Sequence, residues 1–173
     1  ITGVQGKCVE LIVPERIEGL PVTNIAQKAF YFNNHIRSAY LPDSIVSIED
    51  YAFVNCEAMQ DIRMPEKLEH FGLSVFQGCL SLESIIIPDG VTEIGELSFL
   101  GCIALSDVQL PDSLVTIGAE AFSMCEALET ITFPQNLENI GYGAFEFCFM
   151  LTDIVLPDKV KSVDNFSFSG CDS

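Results

Sequence analysis

Six of the seven cysteines in this sequence stand in a fixed rhythm: Cys56, Cys79, Cys102, Cys125, Cys148 and Cys171 follow one another every 23 residues. Cysteine thiolates ligate metals, exchange disulfides or attack carbonyls, and each of these uses demands partners at particular spacings. No C-x-x-C pair occurs, so neither a zinc ribbon nor a dithiol redox turn is present. A nucleophile needs a base within hydrogen-bond reach and a third group to orient that base. The two histidines, His35 and His70, occupy different places in the 23-residue frame, and no grouping of nucleophile, base and orienting residue recurs. No glycine-rich phosphate loop is present either. The residues point away from an enzyme. If the rhythm reflects stacked coils, equivalent cysteines point the same way from Cα atoms about 5 Å apart. A disulfide needs Cβ atoms about 3.8 Å apart and aimed at one another. The column therefore reads as reduced, buried thiols acting as small hydrophobes.

Two other columns carry polar chemistry. Glu15, Asp43, Glu66, Asp89, Asp112 and Asp158, with Gln135 as the exception, each follow a proline. An acid at the start of a turn bonds turn amides, which is the expected role here. A calcium ladder is the sharper alternative, but calcium takes about six to eight oxygens and the glycine-aspartate nonapeptide of calcium-binding solenoids is absent. No metal or cofactor is expected. Gly72, Gly95, Gly118 and Gly141 form the second column, shared with Ala26, Glu49 and Asp164. Those three exclude a strict left-handed requirement and favour close packing or the start of a helical turn.

The elements that position these residues follow from the same period. Prolines stand at Pro42, Pro65, Pro88, Pro111, Pro134 and Pro157, and phenylalanines at Phe30, Phe53, Phe76, Phe99, Phe122, Phe145 and Phe168, each series spaced by 23. Pro14 precedes Pro42 by 28, so five extra residues sit near Gly19-Leu20-Pro21. Within a unit, apolar residues alternate up to the proline, which ends a strand by withholding a ladder N–H. The predicted strands are Leu11–Val13, Ala39–Leu41, Ile62–Met64, Ile85–Ile87, Val108–Leu110, Ile131–Phe133 and Ile154–Leu156. A turn and a second apolar stretch, such as Val91 to Gly95, come next, and Glu96-Leu97-Ser98-Phe99 has the spacing of a single helical turn. A unit this short cannot enclose a core, so units must stack strand on strand at about 4.8 Å. The columns of Ile48, Phe53, Ile62, Met64 and Leu68 point inward, and the seven phenylalanines form a structural spine.

The expected architecture is an α/β repeat solenoid over residues 1–173, a right-handed coil with one concave parallel sheet. Its convex side carries short strands, turns and single helical turns. Residues 1–13 supply an N-terminal cap, formed by Ile1 to Gly6, and the first strand; residues 14–173 make about seven repeats. The chain opens at Ile1 as if cut from a longer protein, and no basic segment followed by an apolar one marks a signal peptide. Eight basic residues against 25 acidic ones give a net charge of −17, which opposes nucleic acids and anionic membranes. No apolar run is long enough to span a bilayer.

The repeated columns also carry a resemblance. Copies such as Ile85-Ile86-Ile87-Pro88-Asp89-Gly90-Val91-Thr92-Glu93-Ile94-Gly95 and Gly118-Ala119-Glu120-Ala121-Phe122-Ser123-Met124-Cys125 resemble the BspA-like, Treponema-type leucine-rich repeats. Ile1-Thr2-Gly3 and Gly19-Leu20-Pro21-Val22-Thr23-Asn24-Ile25 are similar to the opening unit of such arrays. The resemblance implies a leucine-rich-repeat coil in a secreted or cell-surface protein of a host-associated bacterium, several such proteins being implicated in adhesion. Two functions follow as expectations. One is a non-catalytic module that binds a protein ligand, such as a host extracellular protein, through its concave face. The other is a structural spacer that projects another domain from the cell. The central outward column reads Ile12, Tyr40, Arg63, Ile86, Gln109, Thr132 and Val155, with Arg37 in a flanking column. Tyr and Arg are the residues enriched at binding hot spots. Arg37, Tyr40, Arg63, Ile86 and Gln109 are therefore the candidate partner-binding residues, weighed against an ordinary solvated sheet face. Tyr142, Phe147, Phe149 and Met150 form a second candidate patch.

Overall fold

A computed structural model of the protein describes residues 9–172; the cap expected over Ile1 to Gly6 lies outside them. Strands run along two sides of the coils, the second carrying the short strands expected after each turn. On the first side run β1 (Glu10–Ile12), β5 (Ser38–Tyr40), β7 (Asp61–Arg63), β9 (Ser84–Ile86) and β11 (Asp107–Gln109). On the second run β4 (Asn24–Ile25), β6 (Ser47–Ile48), β8 (His70–Phe71), β10 (Glu93–Ile94), β12 (Thr116–Ile117), β13 (Asn139–Ile140) and β14 (Ser162–Val163). All pairings along both ladders are parallel, with Ser38 opposite Asp61 and Asn24 opposite Ser47, one repeat apart. The strands begin one residue before the predicted frame. Ahead of Pro14, Pro42 and Pro88 the preceding residue still donates into the next coil, as Leu41 N–H does to the Arg63 carbonyl at 3.2 Å. Pro42 then offers no N–H to continue the ladder. The five extra residues form a hairpin, β2 (Arg16–Ile17) against β3 (Leu20–Pro21), antiparallel. Its two-residue turn places Glu18 and Gly19 at φ of 52° and 80°, the positive angles that a turn matching strand twist requires.

The third side of each coil is where the helical expectation fails: it contains turns and no helix. Lys28, Tyr51, Ser74, Leu97, Glu120, Gly143 and Phe166 all take positive φ, as do the residues four further on, Phe32, Asn55, Gly78, Gly101, Met124, Phe147 and Gly170. A left-handed residue every fourth position stops a helix from propagating. It also turns alternate N–H groups out of the coil and onto the neighbour. Tyr51, Phe53 and Asn55 donate to the carbonyls of Leu73, Val75 and Gln77 at 2.7–2.9 Å, and the pattern recurs down the stack. The spacing of Leu97 and Phe99 looked helical, but only Phe99 enters the core, while Leu97 is half-buried outside it.

That core is one continuous cluster lined by the phenylalanines. Six of the seven rings are fully buried, Phe168 partly so, and consecutive centroids lie 4.9–5.6 Å apart with interplanar angles of 3–17°. Burying one such ring contributes about 1.5–3 kcal/mol, with stacking adding to it.

The single sheet expected along the strand face is interrupted. Both ladders stop between the coil carrying Phe76 and the coil carrying Phe99: β7 does not pair with β9, nor β8 with β10. The N–H groups of Met64 and Gly95 lack the bonds that Leu41 and Gly118 make at intact junctions, while Ser74, Phe76 and Gly78 on the turn side keep theirs at 2.8 Å. Phe71 explains the opening. It occupies the column of Ile25, Ile48, Ile94, Ile117 and Ile140, and its ring lies 6.0 Å from Phe76 and 5.9 Å from Phe99. The added volume separates the coils, and the spine spacing reaches its widest there, 5.6 Å between Phe76 and Phe99. A second oversized residue, Phe133, stands where other coils carry Leu41, Ile87 and Leu110, and packs edge-on against Phe145 at 5.6 Å. Around it the predicted strands Ile131–Phe133 and Ile154–Leu156 run without ladder pairing.

Candidate functional site

The outward column on the first side gathers most of the predicted residues. Register puts Ile12 opposite Tyr40, Tyr40 opposite Arg63, and Ile86 opposite Gln109. Ile12, Tyr40 and Ile86 are 64%, 44% and 60% exposed. Side chains alternate faces along a strand, so while these residues meet solvent, Leu11, Ala39, Ile62, Ile85 and Val108 fill the core.

Arg63 does not present a free charge. Its guanidinium carbon sits 4.8 Å from the Tyr40 ring centroid, and its nitrogens reach the Leu41 carbonyl at 3.1 Å and the Asp43 carboxylate at 3.3 Å, with Glu66 at 3.9 Å. Asp43 also accepts the Glu66 N–H at 3.0 Å. That backbone bond, followed by the one from Arg63, holds the Asp43 carboxyl below the usual carboxylate range. Tyr40, Arg63 and Asp43 thus form one clasp across adjacent coils. Arg37 is exposed in the flanking column, and among the described residues no ion pair or ring contact joins it to this clasp. The structure brings together Tyr40 and Arg63 but not all three members of the cationic-aromatic island.

Below the clasp, where β7 and β9 part, the face opens into a cleft of about 500 Å³ lined by Asp61, Arg63, Met64, Glu66, Ile86 and Asp89 among others. Single-residue reasoning along the face column missed this cleft. The signal that could have found it was Phe71, the one aromatic residue in a column of Ile and Val.

The other chemically suggestive residues have structural settings. The Sγ–H of Cys56, Cys79, Cys102, Cys125, Cys148 and Cys171 donates to the carbonyls of Phe30, Phe53, Phe76, Phe99, Phe122 and Phe145 at 3.1–3.4 Å. Each thiol is thereby satisfied by the preceding coil, and all are free. Burial pushes Cys56 and Cys148 up to about 12, and Cys79, Cys102 and Cys125 well above the ordinary thiol value. In the post-proline acid column, Asp43 does bond an amide, but that of the next coil's Glu66 rather than of its own turn. Gly72, Gly95, Gly118 and Gly141 take ordinary φ, yet a Cβ on any of them would lie 2.6–2.8 Å from backbone of the preceding coil. Close packing, rather than a helical start, accounts for that column. His70 lies 3.9 Å from Glu49, and the His35 N–H is bonded to Asn33; both histidines are exposed. Tyr142, Phe147, Phe149 and Met150 are exposed, with Tyr142 edge-on to Phe166 at 5.5 Å and Phe147 6.0 Å from Phe149.

Parallel ladders, a stacked aromatic spine and a 23-residue period define a β-solenoid of the leucine-rich-repeat class. The chain belongs to the BspA type leucine rich repeat family, whose model matches residues 23–148 and 92–173. Its fold is similar to a T. pallidum leucine-rich repeat protein at 30% identity and a TM-score of 0.76, over 88% of this chain and 84% of that one. A leucine rich cell surface protein from Faecalibacterium prausnitzii matches at 25% identity and a TM-score of 0.68, over 87% of this chain and 48% of the other. A Bacteroides ovatus leucine-rich repeat protein matches at 25% identity and 0.65, over 92% and 49%. This chain therefore spans about half the length of the latter two. A comparison with curated protein sequences finds no match. Among the described residues no helix is long and apolar enough to cross a membrane.

Proposed function

We propose that this chain is a non-catalytic recognition module of a secreted or cell-surface protein, binding protein ligands through its first strand face. The observation that carries the reading is the column of Ile12, Tyr40 and Ile86, large apolar and aromatic residues held in solvent on the strands of the first side. Such residues in register supply contact area at low entropic cost. Contacts are proposed to run over Arg37, Tyr40, Arg63, Ile86 and Gln109. The similarity to a cell surface protein supports the location, and a net charge of −17 favours proteins over nucleic acid or anionic lipid as partners. One observation favours the second reading, a spacer: Arg63 is consumed by contacts within the molecule. Purified host extracellular proteins passed over the immobilised chain test the choice, with Tyr40→Ser/Ile86→Ser/Gln109→Ala as the face variant and Phe32→Ser as a turn-side control. Recognition predicts a saturable ligand lost by the face variant and kept by the control. Binding indifferent to the face variant refutes the face, and no binding across the panel supports the spacer.

A further inference from the structure

The cleft between β7 and β9 has a composition of its own. Buried Ile62, Met64 and Ile85 form its base, and exposed Ile86 stands on its wall. Three exposed carboxylates, Asp61, Glu66 and Asp89, ring it. The one cation there, Arg63, is already bound by Asp43 and the Leu41 carbonyl. Among the described residues no cation lies within ion-pair distance of Asp61 or Asp89. The walls also differ from those of an intact junction. Where Leu41 N–H bonds the Arg63 carbonyl and Ile87 N–H bonds the Gln109 carbonyl, Met64 N–H makes no such bond to Ile86. The cleft thus offers an apolar base, a negative rim and a backbone donor and acceptor without their ladder partners.

We infer that this cleft binds an extended polypeptide segment carrying Lys or Arg on either side of an apolar side chain. The inference rests on the recognition reading and narrows it to one site and one chemistry. In an extended chain, alternate side chains point to opposite faces. One apolar residue then packs on Ile86 while its neighbours reach outward to Asp61 and Asp89. The ligand's own amide groups meet the Met64 N–H and the Ile86 carbonyl, the exchange used wherever a peptide pairs with an open strand. Phe71 is the positioning residue: it touches no ligand and keeps the strands apart by filling the core behind them. The usual Ile of its column lets the ladder close.

The test is fluorescence anisotropy with a labelled peptide bearing Lys-Ile-Lys between Gly-Ser flanks, beside Glu-Ile-Glu and Lys-Ser-Lys counterparts. Three variants separate the causes: Asp61→Asn/Asp89→Asn, Phe71→Ile, and Glu126→Gln/Asp172→Asn, which removes the same charge from exposed positions on later coils. The Lys-Ile-Lys peptide should bind best. The cleft-acid variant should weaken it about tenfold, Phe71→Ile should weaken it comparably while the chain stays folded by circular dichroism, and the distant pair should leave it within about twofold. Equal losses in both acid variants would show binding to net charge alone and overturn the inference, as would unchanged binding in Phe71→Ile or failure of the peptide to bind. If a protein ligand found through the face variant tolerates both cleft variants, the cleft fails while the recognition reading survives. If no ligand depends on the face, the recognition reading itself fails.

Discussion

Replacing Phe99 with alanine removes one ring from the middle of the spine. Phe99 is 0% exposed and lies 5.6 Å from Phe76, 5.0 Å from Phe122 and 5.9 Å from Phe71, so three aromatic neighbours lose a partner at once. Lost transfer energy plus the residual cavity gives about 3–5 kcal/mol for a buried Phe→Ala change. The upper half of that range applies, because the backbone here is pinned on both sides: Phe99 N–H bonds the Ala121 carbonyl at 2.7 Å and its own carbonyl accepts from Cys125 Sγ at 3.4 Å. Collapse into the vacancy is therefore resisted. With a urea m-value of about 2 kcal/mol per molar, the midpoint should fall by about 2 M. Gln109→Ala, on the exposed strand face, should shift the midpoint by no more than about 0.25 M, corresponding to under about 0.5 kcal/mol. Urea unfolding followed by circular dichroism reads both. Equal midpoints for the two variants would mean that inside and outside have been assigned wrongly.

Three further outcomes follow from the same geometry. Thiol reagents should label Cys56, Cys79, Cys102, Cys125 and Cys148 of the native chain slowly, with full labelling only on denaturation; above pH 9 stability should fall, because unfolded thiols ionise there while Cys56 and Cys148 resist to about 12. Each buried thiol subtracts about 1.4 kcal/mol per pH unit in that window, and a flat stability profile between pH 9 and 11 would refute it. Met124→Gly should be neutral or raise the melting temperature, since Met124 sits at φ 59° and glycine removes a left-handed penalty of about 1 kcal/mol; a loss of about 1 kcal/mol would point instead to a helical turn. The Asp43 carboxyl should titrate below ordinary aspartates in side-chain NMR; its lowered value means that its contribution to stability is present at neutral pH and lost on acidification through that titration. Asp43→Asn should accordingly remove that acid-dependent part, seen as a shallower loss of stability below pH 4.

The repeat, the spine and the parallel pairing were legible because each depends on a column that tolerates little variation. An inward Phe or a strand-ending Pro leaves its mark in every copy. The turn side was misread because its cause is backbone angle. Lys28, Tyr51, Ser74, Leu97 and Glu120 share no side-chain chemistry, yet all adopt positive φ, held there by bonds to the next coil. The second ladder was legible only as short strands on the convex side, since two-residue strands such as Asn24–Ile25 leave too short an alternation to fix their bounds. The opened junction was hidden for the opposite reason: it arises from one departure, Phe71, in an otherwise uniform column, and its effect appears several residues away at Met64 and Gly95. Along the face, the Tyr40–Arg63 contact was legible from register. The engagement of Arg63 by Asp43, which sits on the neighbouring coil just beyond Pro42, was not, because it depends on where a long flexible side chain comes to rest.

The central claim, that ligands dock on the first strand face, is tested most directly by amide hydrogen exchange on the chain with and without a bound protein ligand. The account predicts added protection across Ser38–Tyr40, Asp61–Arg63 and Ser84–Ile86, including the Met64 amide that is unbonded in the free protein. Exchange across the turn-side stretches 51–55, 74–78 and 97–101 should stay unchanged. Protection confined to those turns, or to the exposed Phe147 and Phe149, would contradict it.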